Sequence, residues 1–195
     1  SSGNYTSSVS WNLSAGGGSG NMFIGQGTGE SITDGTGNIG FGYLALNKLA
    51  TGGYNVAIGR YALEENITGS NNVAIGAEAL NKSDGVSDNV AVGKFALRYA
   101  TESEKSTALG GGALSGATTG DNNTAIGYDA GNIITTGGNN IVIGHQAMDA
   151  SSTAADGMVA IGVEALGTFN GGNVDSSVAV GEYSLNSLTD GVSNT

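Results

Sequence analysis

His145 is the one imidazole in this 195-residue chain, so acid–base or metal chemistry would have to be built around it. Its neighbours Ile143 and Gly144 offer no partner, and cysteine is absent, which removes thiolate ligands and disulfides alike. His145 therefore reads as an exposed, variable residue. Carboxylates are plentiful, with 17 Asp and Glu against 6 Lys and Arg and a net charge of −11. Glu64, Glu65, Glu78, Glu102 and Glu104 are the candidates for a glycosidase pair, which needs two carboxyls at a defined separation. Solvated surface charge is the plainer reading, and a polysaccharide-depolymerising enzyme stays open as the alternative. Gly171-Gly172-Asn173-Val174-Asp175 touches the Gly-Gly-x-Gly-x-Asp calcium repeat, but the nine-residue step of that repeat is missing. An isolated ion at a longer loop stays open. The reading is thus of no catalytic residue, no cofactor and no regular metal site.

Aromatic side chains offer a different chemistry, stacking on sugar rings. Tyr43, Tyr61, Phe95, Tyr128 and Tyr183 each stand one or two residues after a glycine that closes an apolar run. The pairs around them vary widely (Arg60-Tyr61, Lys94-Phe95, Tyr128-Asp129, His145-Gln146), so packing does not dictate them and they are expected to point outward. They are the candidate contacts for a receptor or glycan, with packing along the molecule's flank as the equal alternative. Thr51, Thr68, Thr119, Thr136 and Thr189 hint at the flat threonine array of an ice-binding surface, but Gly85 and Glu102 interrupt the column. Turn chemistry explains it better.

What positions all of these residues is a repeat. Asn55-Val56-Ala57-Ile58-Gly59 returns as Asn72-Val73-Ala74-Ile75-Gly76 and, with small changes, as Asn123-Thr124-Ala125-Ile126-Gly127. The closing glycines fall at 25, 42, 59, 76, 93, 110, 127 and 144, a step of 17, followed by Gly162 and Gly181 after steps of 18 and 19. A fixed period near this length is the mark of a solenoid whose rungs stack on one another. The chain is expected to be all-β, a parallel β-solenoid of about ten rungs, each with two short strands and two turns. The first asparagines of successive rungs should stack and hydrogen-bond along the axis. After each closing glycine come two variable residues, then a small residue and usually leucine, as in Ala62-Leu63 and Ala79-Leu80, with Ala147-Met148 in the same slot. Residues 1–20 lack the motif and read as a degenerate rung, a cap or the end of a preceding domain. Residues 21–195 form the repeat domain, read as a piece of a longer fibre.

The strand carries the strongest inference about partners. The position before the closing glycine is always large and apolar, and the position before that is mostly alanine. Successive side chains of a strand face opposite ways, so neither face is built for water, whereas a half-exposed strand alternates apolar with polar. One face can look into the rung; the other needs a cover, and a second copy of the same chain is the economical one. Leaving that column in water would forfeit on the order of 10 kcal/mol.

The repeated Asn-Val-Ala-Ile-Gly-x-x-Ala-Leu resembles the head repeats of YadA-like trimeric autotransporter adhesins and the related repeats of bacteriophage tail fibres. The resemblance covers roughly residues 21–195 and implies a left-handed β-roll, a homotrimer and a role in attachment to a surface. The 17-residue rung is longer than the usual autotransporter head repeat, and Ala-Leu replaces its serine-rich second segment, which favours the phage-fibre branch. The expectation is a tail-fibre shaft in the virion, with an extracellular surface adhesin as the alternative, and with a cell-surface receptor or polysaccharide as the further partner. The acidic balance speaks against nucleic acid. No apolar run approaches the roughly 20 residues of a membrane span, so no membrane insertion is expected.

Overall fold

The computed structural model describes residues 18–149, 154–167 and 176–186. Ten three-residue strands lie within them: β1 (Met22–Ile24), β2 (Ile39–Phe41), β3 (Val56–Ile58), β4 (Val73–Ile75), β5 (Val90–Val92), β6 (Thr107–Leu109), β7 (Thr124–Ile126), β8 (Ile141–Ile143), β9 (Val159–Ile161) and β10 (Val178–Val180). They form one parallel sheet in chain order, a β-solenoid of about nine turns without helix among the described residues. Register is strict, with Val56, Ala57 and Ile58 opposite Val73, Ala74 and Ile75. The expectations for residues 1–17, for most of the two longer returns (including Gly171 to Asp175) and for Thr189 lie outside the described residues.

Each rung has one strand, not two. The Ala-Leu segment was expected to be extended, yet φ is +60° at Tyr61 and +50° at Leu63. Left-handed residues bend the chain too tightly for a strand. The segment still joins the rungs, because the Leu63 N–H donates to the Ala79 carbonyl at 3.0 Å and Leu80 repeats the bond to Ala96. This geometry explains why the slot holds leucine or methionine. Of the 23 non-glycine residues with positive φ among the described residues, none is Val, Ile or Thr. A β-branched side chain at positive φ is a genuine steric outlier, so Ile and Val go to the strand and Leu to the turn.

The alanine face of the strand looks inward. Ala57, Ala74 and Ala91 are fully buried, as are Leu63, Leu80 and Leu97 across from them. Small residues on one wall and leucines on the other fill a thin interior. Two rungs break this rule and repair it. Gly29 stands in the leucine column, and Phe23 in the alanine column fills the space; the ring also needs Gly40 opposite, where a Cβ would come within 3.0 Å of its Cδ1. Gly131 likewise replaces a leucine, and Ile134 and Val142 close over it, both fully buried.

The closing glycine is a geometric necessity. At Gly76 φ is +137°, and a Cβ there would lie 2.5 Å from the Gly93 carbonyl oxygen of the next rung. Gly59 and Gly127 repeat the arrangement with φ of +137° and +139°. Such a φ is nearly glycine-only.

The asparagine column is a continuous hydrogen-bonded ladder. Asn72 Oδ1 accepts the Asn89 N–H at 3.1 Å, while its Nδ2 donates to Asn55 Oδ1 at 3.0 Å and across the rung to the Val86 carbonyl at 2.7 Å. Asn55 does the same between Asn38 and the Gly69 carbonyl. Ser106 takes one place in the column and still accepts the Asn123 N–H through Oγ at 3.1 Å. Buried polar side chains are satisfied in this way at every step from Asn21 to Asn140.

Candidate functional site at the corner after the closing glycine

The two residues after each closing glycine make a corner between the strand and the buried Ala-Leu segment. The first joins the ladder only through its backbone carbonyl, as when Arg60 accepts the Glu78 N–H at 2.9 Å, and its side chain is left to solvent. Tyr43, Arg60, Lys94, Tyr128 and His145 are all exposed there. The second is left-handed (Tyr61 +60°, Phe95 +65°, Asp129 +52°) and, wherever it carries a side chain before Tyr183, lies half-buried along the side of the stack. Ten corners therefore present two parallel columns: the backbone leaves the first free to vary, and its positive φ bars only β-branched residues from the second.

The five aromatic candidates divide between these columns. Tyr43 and Tyr61 come together edge to face, with ring centroids 5.4 Å apart. Arg60 covers the Tyr61 ring at 4.5 Å and donates to its hydroxyl at 3.1 Å. Phe95 lies beneath two cations, Lys94 at 4.4 Å and Arg98 at 4.6 Å, an arrangement stabilised by the negative ring face. Tyr128 stacks on His145 at 5.6 Å and 17°, so the lone histidine is exposed and ring-stacked. Tyr183 stands exposed at the last described corner. Asn55, Ile58, Gly59, Asn72, Ile75, Gly76, Ile126 and Gly127 belong to the rung itself, as described above: the asparagines are buried, and the three isoleucines expose 37–40% of their surface on the outer face.

The carboxylates run along the flank and pair from rung to rung. Glu65 sits between Lys48 at 3.3 Å and Lys82 at 2.8 Å, and the Lys82 hydrogen bond holds its carboxyl below the usual carboxylate range. Glu64 accepts from Asn81 Nδ2 at 2.9 Å, and Glu78 is paired with Arg98. Glu104 lies 3.9 Å from Lys105, and Glu102 is exposed. Burial pushes the Asp149 carboxyl up, and the charges of Glu164 and Asp129 add to the effect. Among the described residues no three His, Cys, Asp or Glu side chains gather as a metal site would need.

The corner that sequence reading passed over is Gly111-Gly112. Of the ten corners only this one has two glycines, and that was its signal. It opens a cavity of about 220 Å³ between Lys94-Phe95 below and Tyr128-Asp129 above. A second cavity, of about 380 Å³, borders Gln26 and Gly27 at the first rung. Comparison of the chain with family models, with curated proteins and with solved structures returned no match.

Proposed function

We propose that this chain is a segment of a homotrimeric structural and adhesive fibre, a tail-fibre shaft that holds a recognition surface away from its base. The observation that carries the reading is the outer face of the sheet. Ile58, Ile75, Val90, Leu109, Ile126 and Ile141 expose 37–47% of their surface there, one rung after another. Half-exposed Val56 and Val73 stand beside them. A continuous apolar stripe of this kind marks an interaction surface. Covering each of its large side chains contributes about 1–2 kcal/mol. A second copy carries the same stripe at the same rung spacing, so the surface is self-complementary. The number three and the attachment role rest on the resemblance of Asn-Val-Ala-Ile-Gly-x-x-Ala-Leu to trimeric fibre repeats; a surface adhesin of the autotransporter kind would use the same face.

Light scattering on the purified chain is the test. The expected mass is three times the 19.1 kDa chain. Ile75→Asp, on the exposed face, should reduce it to the monomer, whereas Glu78→Lys, at the corner, should leave assembly intact. A stable, soluble wild-type monomer refutes the reading.

A further inference from the structure

Gly111 and Gly112 are not glycines for the sake of the backbone. Gly112 has φ of +71°, close to the +65° of Phe95 one rung below and the +52° of Asp129 one rung above. Neighbouring rungs thus hold the same conformation with full side chains. What the pair changes is the surface: two side chains are missing from columns that are filled at all the other corners from Tyr43-Leu44 to Glu182-Tyr183. The walls of the resulting notch are two rungs apart, roughly 9–10 Å by the spacing of paired strands. That leaves room for one ring between Phe95 and Tyr128.

The ends of the notch are polar, and the Lys94 ammonium that rests on the Phe95 ring keeps its hydrogen-bonding capacity. Neither the Lys94 ammonium nor the Asp129 carboxylate makes an ion pair or a side-chain hydrogen bond among the described residues. Asp129 Oδ1 occupies the space that a Cβ on Gly112 would fill, and the edge of the Tyr128 ring overhangs Gly111, 3.5 Å from where its Cβ would be. A carboxylate accepts from hydroxyls, and an ammonium donates to them. Tyr128, which is 57% exposed, offers a flat apolar face beside them.

We infer that this notch binds a single uncharged pyranose ring of a surface glycan. The ring's C–H face would lie on Tyr128, with its hydroxyls donating to Asp129 and accepting from Lys94. A purely apolar ligand would desolvate both charges without pairing them. An anionic sugar would meet Asp129 in a chain of net charge −11. At about 220 Å³ the cavity holds one ring, and any further sugars of the glycan would lie outside it. The inference rests on the attachment reading only for the source of the glycan; the notch itself is tested with free sugars.

The experiment is a saturation-transfer NMR and calorimetric titration of the intact protein with the methyl pyranosides of glucose, galactose, mannose and N-acetylglucosamine. At least one should bind, with a Kd of about 1 mM. Gly111→Gln should weaken it about tenfold or more. Gln26 holds the same column in the first rung, and a Cβ at Gly111 meets Tyr128 Cδ2 at the ordinary distance of 3.5 Å, so this variant fits the fold. Tyr128→Ala should have the same effect, while Tyr43→Ala and Tyr183→Ala change binding less than about twofold. Absence of binding by all four sugars overturns the inference, as does binding that survives Gly111→Gln or is lost equally in Tyr43→Ala. Mass measured on the same samples separates the two readings. A trimer that binds no sugar removes the notch and leaves the shaft; a monomer that binds through Tyr128 does the reverse.

Discussion

Asn72→Ala tests whether the asparagine ladder holds the rungs together. The side chain is fully buried and makes three hydrogen bonds, to the Asn89 N–H, the Val86 carbonyl and Asn55 Oδ1. Asn55 Oδ1 keeps a partner in the variant, because the Asn72 backbone N–H also donates to it at 3.0 Å. Two buried groups do not: the Asn89 N–H and the Val86 carbonyl. Each orphan costs about 1–3 kcal/mol, so the expected loss is about 4 kcal/mol. Native-state hydrogen exchange reads it directly, as a fall of about a thousandfold in protection of the rung-four and rung-five amides. Asn72→Ser is the internal control. Ser106 already shows that a hydroxyl in this column accepts the next rung's N–H, so serine should recover about half of the loss. A cost below about 1 kcal/mol for alanine, or serine no better than alanine, refutes the reasoning.

Leu80→Ile conserves volume, and in an ordinary core it would cost less than about 1.5 kcal/mol. At φ of +49° it should cost more than that, while Leu80→Met, which copies the buried Met148 at +53°, should be mild in urea unfolding. The Glu65 carboxyl is held below its usual range by Lys82 and Lys48, so its pairing contributes above the unfolded pKa and is lost as pH falls through the lowered folded one. Glu65→Gln should therefore lower stability by up to about 1 kcal/mol at neutral pH. The gap from wild type should close as pH falls through that lowered folded pKa, and also at about 1 M salt; thermal melts in acid and at high salt check it.

Much of this fold is written in the spacing of Gly59, Gly76 and Gly93, because a residue that must approach the next rung's carbonyl at φ near +137° leaves little room for substitution. The outer and inner faces of the strand were legible as two apolar columns, but which one faced inward was not. Alanine goes inside because Leu63 and its equivalents already fill the opposite wall. The second strand was misread for a physical reason. Leucine carries no local signal for positive φ, and the conformation is imposed by the ladder bonds of Leu63 and Tyr61 to the rungs on either side. Compensation between Gly131 and Val142 was equally hidden, since it joins residues that meet only once the rungs stack. At the corners the sequence showed which aromatics were free to vary, and it did not show that Phe95 and Tyr128 frame the same gap.

The repairs at Phe23 and Val142 have a consequence for how the chain finds its frame. Ladder bonds recur at the same 17-residue step, as from Asn55 to Asn38 and from Asn72 to Asn55. A chain that looped out one rung and paired the next would therefore keep nearly all of them. Backbone pairing alone does not tell adjacent rungs apart. Phe23 does, because skipping the second rung would set its ring against Ala57 in place of Gly40. Val142 does so near the other end, because without the Gly131 rung it would press on Leu114. Each misfit costs of order 1–3 kcal/mol through overpacking. These two sites act as addresses in an otherwise uniform stack, and they make the correct count of rungs the state of lowest energy.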